Sequence, residues 1–264
     1  MVTTRYFLPI ALTHLLLIFN LNAQSEADWQ YELEKAEDLF IIEKYGLAYE
    51  WYKRAAKNGS VEALHEMANM YYHGFGVRKN CKKAVKYYRK AANRGSDFSQ
   101  LFLGRMYYEG EGVKQSHSIA AEWFKVAAEQ GLDLAQYFLG YMYYRGDGIE
   151  KNHHKAFKWY FKAAKQELPK AQYELANLFF RGEGTEKDYS IAAQWYRQAA
   201  EQGLAKAQSK LGSLYREGKG VEKDYFKSSE WYERAAGQGS SNAQYNLGNL
   251  YSSGKGLTKD YPKA

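Results

Sequence analysis

Four groups of residues in this chain have types and spacings that suggest chemistry. Gly-x-Gly occurs at 74–76, 110–112, 146–148, 182–184, 218–220 and 254–256. Such glycines cradle phosphate when they follow a strand and open a helix, because backbone N–H groups then converge on the anion. His153-His154 is a pair of metal-ligand type. The run from His65 to Asn69 reads His-Glu-Met-Ala-Asn, one residue short of the His-Glu-x-x-His zinc helix. Ser252-Ser253-Gly254-Lys255 matches a Ser-x-x-Lys nucleophile pattern.

None of the four holds up as a site. Each Gly-x-Gly follows a helical pattern instead of a strand, and the residue between the glycines is often acidic (Glu111, Asp147, Glu183), which repels phosphate. The position of His153 is occupied elsewhere by Cys81, His117, Tyr189, Tyr225 and Tyr261, a set that suits packing. Cys81, His117 and His153 would sit on stacked helices roughly 8–10 Å apart, whereas zinc ligands lie about 2.0–2.3 Å from one ion. Asn69 takes the place of the second zinc histidine, and Ser252 falls at a turn where the motif requires a helix start. The sequence therefore predicts no catalytic residue, no metal and no cofactor, and a chain that is not an enzyme.

The elements behind these residues repeat. Gly74, Gly110, Gly146, Gly182, Gly218 and Gly254 are spaced by 36 residues. Trp51, Trp123, Trp159, Trp195 and Trp231 share that register, as do Ala-Ala pairs at 55–56, 91–92, 127–128, 163–164, 199–200 and 235–236. Several independent columns with one period mark a repeat architecture. Ala135, Leu139 and Tyr143 form the apolar stripe of a first helix, ended by Gly146. Asn80, Ser116, Asn152, Asp188, Asp224 and Asp260 are N-cap types that open a second helix. Gly59, Gly95, Gly131, Gly203 and Gly239 close it; Glu167 replaces the glycine in one repeat, which predicts an altered turn there, with Pro169 starting the next helix.

The stretches "LGYMYYRGDG…KAFKWYFKAA" and "LGSLYREGKGVEKDY…SEWYERAAGQG" resemble the Sel-one-like repeat family, relatives of tetratricopeptide repeats. The resemblance covers about Ala27 to Ala264. It implies an all-α fold, a right-handed α-solenoid of helix–turn–helix repeats with a 36-residue period, whose members mostly bind other proteins. The expected organisation is a signal peptide at 1–23 and a solenoid at 24–264. The solenoid divides into a degenerate capping repeat at 24–60, five full repeats over 61–240 and an incomplete repeat at 241–264. In the first repeat Asp38 and Phe40 replace the loop glycines. In the last, Leu247 and Tyr251 lack a covering second helix, so either the chain is a piece of a longer protein or that face meets a partner, self-association included.

Compartment is read from the N-terminus. Arg5 precedes an apolar run from Phe7 to Leu21, and Ala23 supplies a small residue at the cleavage position, the three-part pattern of a secretory signal. The run is short for a membrane span and holds Pro9, His14 and Asn20, so no stable span is expected after cleavage, with an uncleaved anchor as the alternative reading. The single Cys81 forms no internal disulfide and reads as a small, half-buried thiol. The expected location is secreted or periplasmic, the bacterial envelope first, with a eukaryotic secretory pathway as the alternative. Net charge is +7 and no run of five or six like charges occurs, so no nucleic-acid partner is expected.

Specificity in such a fold lies in the columns that the scaffold leaves free. Within first helices the columns of Leu134, Phe138, Tyr141 and Arg145 vary most, and their spacing of 4, 3 and 4 puts them on one face. The preceding repeat supplies Phe98, Phe102 and Arg105. In the resembled family first helices line the concave surface. These seven residues are the expected groove for a peptide or protein, with packing of the two phenylalanines between neighbouring first helices as the competing reading. The expected function is a non-catalytic extracytoplasmic interaction scaffold or adaptor. A second class is an envelope or host-interaction factor that binds anionic glycan or lipid. A third, β-lactam hydrolysis as proposed for cysteine-rich relatives, is disfavoured because those relatives carry regular cysteine pairs.

Overall fold

The computed structural model describes residues 29–254, which are helices joined by turns, without a strand among the described residues. They form two compact units divided after Ser116. The first unit contains α1 (29–41), α2 (Tyr45–Lys57), α3 (Val61–His73), α4 (Cys81–Ala92) and α5 (Asp97–Glu109). The second contains α6 (His117–Glu129), α7 (Asp133–Arg145), α8 (His153–Lys165), α9 (Pro169–Arg181), α10 (Tyr189–Glu201), α11 (Ala205–Glu217), α12 (Tyr225–Gly237) and α13 (Ser241–Ser253). Within each unit every helix packs on the next in sequence, the arrangement of an α-solenoid. The signal-like segment, Lys255, Asp260 and the last residues lie outside the described part of the chain. No described helix is long and apolar enough to cross a membrane.

The helices start and stop where side-chain chemistry dictates. Asn80 and Asn152 accept hydrogen bonds from the backbone N–H of Lys83 and Lys155, and Asp188 and Asp224 do the same for Ile191 and Lys227. Each bond satisfies a donor that the first helical turn leaves without an internal partner. At the other end Gly146 takes φ 81° and its N–H closes onto Met142 O, which ends α7 in the left-handed conformation that costs glycine nothing.

Alanine sets the packing distance. Ala91, Ala92, Ala127, Ala128, Ala163, Ala164, Ala199 and Ala200 are buried, so neighbouring helices approach closely. The space beside them is filled by one large ring per second helix: Tyr52, Tyr88, Phe124, Tyr160, Tyr196 and Tyr232, each at most 2% exposed. Burial of such a ring is worth about 1.5–3 kcal/mol. Three of the tyrosine hydroxyls have side-chain partners: Tyr88 and Tyr196 Oη donate to Asn69 and Asn177 Oδ1 at 2.5 and 2.6 Å, and Tyr232 Oη lies 3.0 Å from Ser213 Oγ.

The structure corrects one expectation. The turn at Glu167 is not altered. Glu167 itself adopts φ 64° and Leu168 N–H reaches Ala163 O, as Leu132 and Leu204 reach Ala127 and Ala199 in repeats with glycine there. Pro169 does open α9, at its first helical position. In the first repeat α1 continues to residue 41, through the positions of the absent loop glycines, and a short turn at 42–44 leads to α2.

Candidate functional site

The glycine loops join repeats. A Cβ on Gly112 would lie 2.5 Å from the Cys81 carbonyl carbon, and Cβ atoms on Gly148, Gly184 and Gly220 would fall inside the backbone of His117, His153 and Tyr189. Thus the second glycine of each loop sits on the residue that opens the second helix one repeat earlier. The acid between the glycines is engaged as well: Tyr72 Oη donates to Glu111 Oε2 at 2.7 Å and Tyr144 Oη to Glu183 Oε2 at 2.9 Å. The Glu111 carboxylate accepting that bond pushes the Tyr72 hydroxyl up to about 12.

The histidines are packing residues too. The His153 ring lies 5.1 Å from that of Tyr144, and His154 Nδ1 approaches Gly184 O at 3.3 Å. Among the described residues no three His, Cys, Asp or Glu side chains converge as metal ligands would. His65 Nδ1 lies 2.8 Å from Ser99 Oγ, the geometry of a base and a nucleophile. Ser99 is 0% exposed, however, so no substrate reaches it. Burial holds the His65 pKa below the usual imidazole value.

The Gln136 column varies little between repeats: Gln100, Gln136, Gln172, Gln208 and Gln244 share it, and Leu64 departs. Gln100, Gln136, Gln172 and Gln208 donate to the carbonyls of Ala92, Ala128, Ala164 and Ala200, which satisfies C-terminal oxygens of the preceding helix. In the second unit Gln166, Gln202 and Gln238 donate in turn to Gln136, Gln172 and Gln208 at 2.9 Å. The recurrence of glutamine was the column's one visible signal; the carbonyl partners lie 8 residues away and the glutamine partners 30.

In the first unit the variable face presents Phe98, Phe102 and Arg105. Phe98 is 52% exposed. Together with Glu62, His65, Glu66, Arg94 and Asp97 it lines a groove of about 710 Å³ between α3 and α5. Phe102 is half-buried: its ring stacks on buried Tyr88 (5.4 Å, 6°) and meets His65 edge-on. Arg105 lies over the Phe102 ring and 3.8 Å from Glu109.

In the second unit Leu134 and Arg145 are exposed and Tyr141 is half-buried against the α8–α9 core. Phe138 repeats the arrangement of Phe102, stacked on buried Phe124 at 5.1 Å. This unit also contains a groove of about 510 Å³, lined by Tyr137, Lys170, Tyr173, Glu174, Leu204 and Lys206. Lys170, Glu174 and Lys206 belong to the same variable columns as Leu134 and Phe138. Burial raises the Glu174 carboxyl pKa above its ordinary value.

The family model described as the Sel1 repeat matches residues 38–60, 61–96, 98–132, 133–168, 169–204, 205–240 and 241–264. Among solved structures the chain is similar to c5321, a protective antigen of uropathogenic Escherichia coli strains displaying an SLR fold. Identity is 36%, the TM-score is 0.86, and the match covers 92% of this chain and 53% of that one. This chain thus spans about half the length of the E. coli protein. A Sel1 repeat protein from Oxalobacter formigenes matches at 33% identity and TM-score 0.79, covering 88% of this chain and 95% of that one. No curated protein sequence matches. With seven matched repeats and two relatives above 30% identity, the chain belongs to the Sel1 repeat family.

Proposed function

We propose that this protein is a non-catalytic, extracytoplasmic scaffold that binds a peptide or protein on the variable face of its first helices. The observation that carries this reading is the division of columns. The positions that vary little (Ala135, Gln136, Leu139, Met142) are buried, while Phe98, Leu134, Arg145, Lys170 and Lys206 stand exposed on the variable face. A half-exposed phenylalanine at the rim of a groove, beside charged side chains, has the make-up of an interaction hot spot. The extracytoplasmic part of the reading rests on the signal-like residues 1–23.

The test is capture of partners by the mature chain, followed by the same capture with Phe98→Ser plus Leu134→Ser. Both side chains are exposed, so the variant keeps its fold. Selective loss of a captured protein supports the reading. Retention of every partner places the binding elsewhere.

A further inference from the structure

Positive charge is densest in one stretch; a shorter second one, Lys151, Lys155, Lys158, Lys162 and Lys165 with no acid between 151 and 166, runs along α8. Residues 67–96 contain eight Lys or Arg and no Asp or Glu. Lys82, Lys83, Lys86, Arg89 and Lys90 all lie on α4 and all are exposed. Their spacing (i, i+1, i+4, i+7, i+8) gathers them within roughly 120° of the helix surface, opposite the buried Ala84, Val85, Tyr88 and Ala91. Arg78 and Lys79 extend the strip before the helix and Arg94 after it, each exposed. Among the described residues none of these eight cations forms an ion pair, whereas seven other Lys or Arg side chains do. The equivalent helix α12 is balanced: Glu230 and Glu233 accompany Lys227 and Arg234, and Lys227 is 3.3 Å from Asp224.

We infer that the outer face of α4 binds a linear acidic polysaccharide. An uncompensated strip about 18 Å long matches a polymer with an anionic group at every few ångströms, because each contact releases counterions from the chain. The composition of the strip disfavours other polyanions. Its helical cations are interleaved with no exposed large apolar side chain that could enter a lipid layer. Its rings are covered: the Lys83 ammonium lies 4.9 Å above Tyr71 and that of Lys90 5.6 Å above Tyr87. A nucleobase therefore finds no open ring to stack on. A protein interface would want an apolar centre, which the strip lacks. This inference is separate from the variable first-helix face.

The experiment uses the full chain with heparin and polygalacturonate as probes, and phosphatidylglycerol vesicles, single-stranded DNA and polyglutamate for comparison. Affinity is measured across a salt series. The expected result is binding to a polysaccharide probe that weakens about tenfold in Lys86→Gln/Lys90→Gln, with a shallower salt slope. The charge-matched control Lys227→Gln/Arg234→Gln should change it less than about twofold, and Phe98→Ser/Leu134→Ser should not change it. Absence of polysaccharide binding overturns the inference, as does equal loss in both charge variants. Tighter binding to vesicles, DNA or polyglutamate at equal salt also overturns it and assigns the strip to that class.

Discussion

Gly184 lies against the carbonyl of His153, so close that no side chain fits between the loop of one repeat and the second helix of the repeat before it. The residue also sits at φ 72°. Gly184→Ala would combine a left-handed alanine, about 1–2 kcal/mol, with a forced separation of two backbones, about 1–3 kcal/mol. A stability loss of about 2–5 kcal/mol is expected in urea unfolding of the full chain. An anion-binding glycine would behave differently: its substitution would leave stability intact and abolish a phosphate-induced thermal shift.

Glu167 offers the opposite experiment. It occupies φ 64° where sister repeats have glycine, and nothing lies within 4 Å of a Cβ at Gly131 or Gly203. The cost at this turn is therefore conformational and not steric. Glu167→Gly relieves about 1–2 kcal/mol of left-handed strain and gives back part of it as unfolded-chain entropy. A net gain of about 1 kcal/mol is expected. An unchanged or lowered midpoint would mean that the glutamate side chain stabilises the turn by a contact of its own.

The Glu167 turn also shows where sequence reasoning stops. The period was legible because several independent columns share one 36-residue spacing, and the caps at Asn80, Asn152, Asp188 and Asp224 because each depends on a few neighbouring residues. A glycine-to-glutamate change in one repeat looked like a different turn, yet the backbone takes the same left-handed conformation and the same hydrogen bond as in the sister repeats. The bonds of Tyr72 to Glu111 and of Gln202 to Gln172 join positions 39 and 30 apart, and no local pattern announces them. The variable face was legible as a set of columns. The unequal burial along it was not, since it depends on Tyr88 and Phe124 lying under Phe102 and Phe138.

That unequal burial can be measured. Phe102 stacks on Tyr88, whereas Phe98 is mostly in solvent. Phe102→Ser is expected to cost about 2–3 kcal/mol through lost packing, and Phe98→Ser less than about 0.5 kcal/mol. Thermal unfolding of the two single variants decides it. Equal costs would mean that Phe98 is as much a part of the wall as Phe102.

Glu174 makes the chemistry of the second-unit groove testable through pH. Its carboxylate accepts a hydrogen bond from Asn177 at 3.0 Å, but burial dominates and raises its pKa. The folded state therefore holds this proton more tightly than the unfolded chain does. By linkage, the contribution of Glu174 to stability is fully present below the ordinary glutamate value, about 4.3, and is lost as pH rises through the folded value. Glu174→Gln keeps an acceptor for Asn177 without the buried charge. The variant should be more stable than the native chain at neutral pH, with the difference closing toward about pH 4. Melting curves of both proteins across that range test the sign. A glutamine variant that is less stable at neutral pH would show that Lys206 and Arg181, which favour the carboxylate, outweigh its desolvation, and that the groove is built around a charged glutamate.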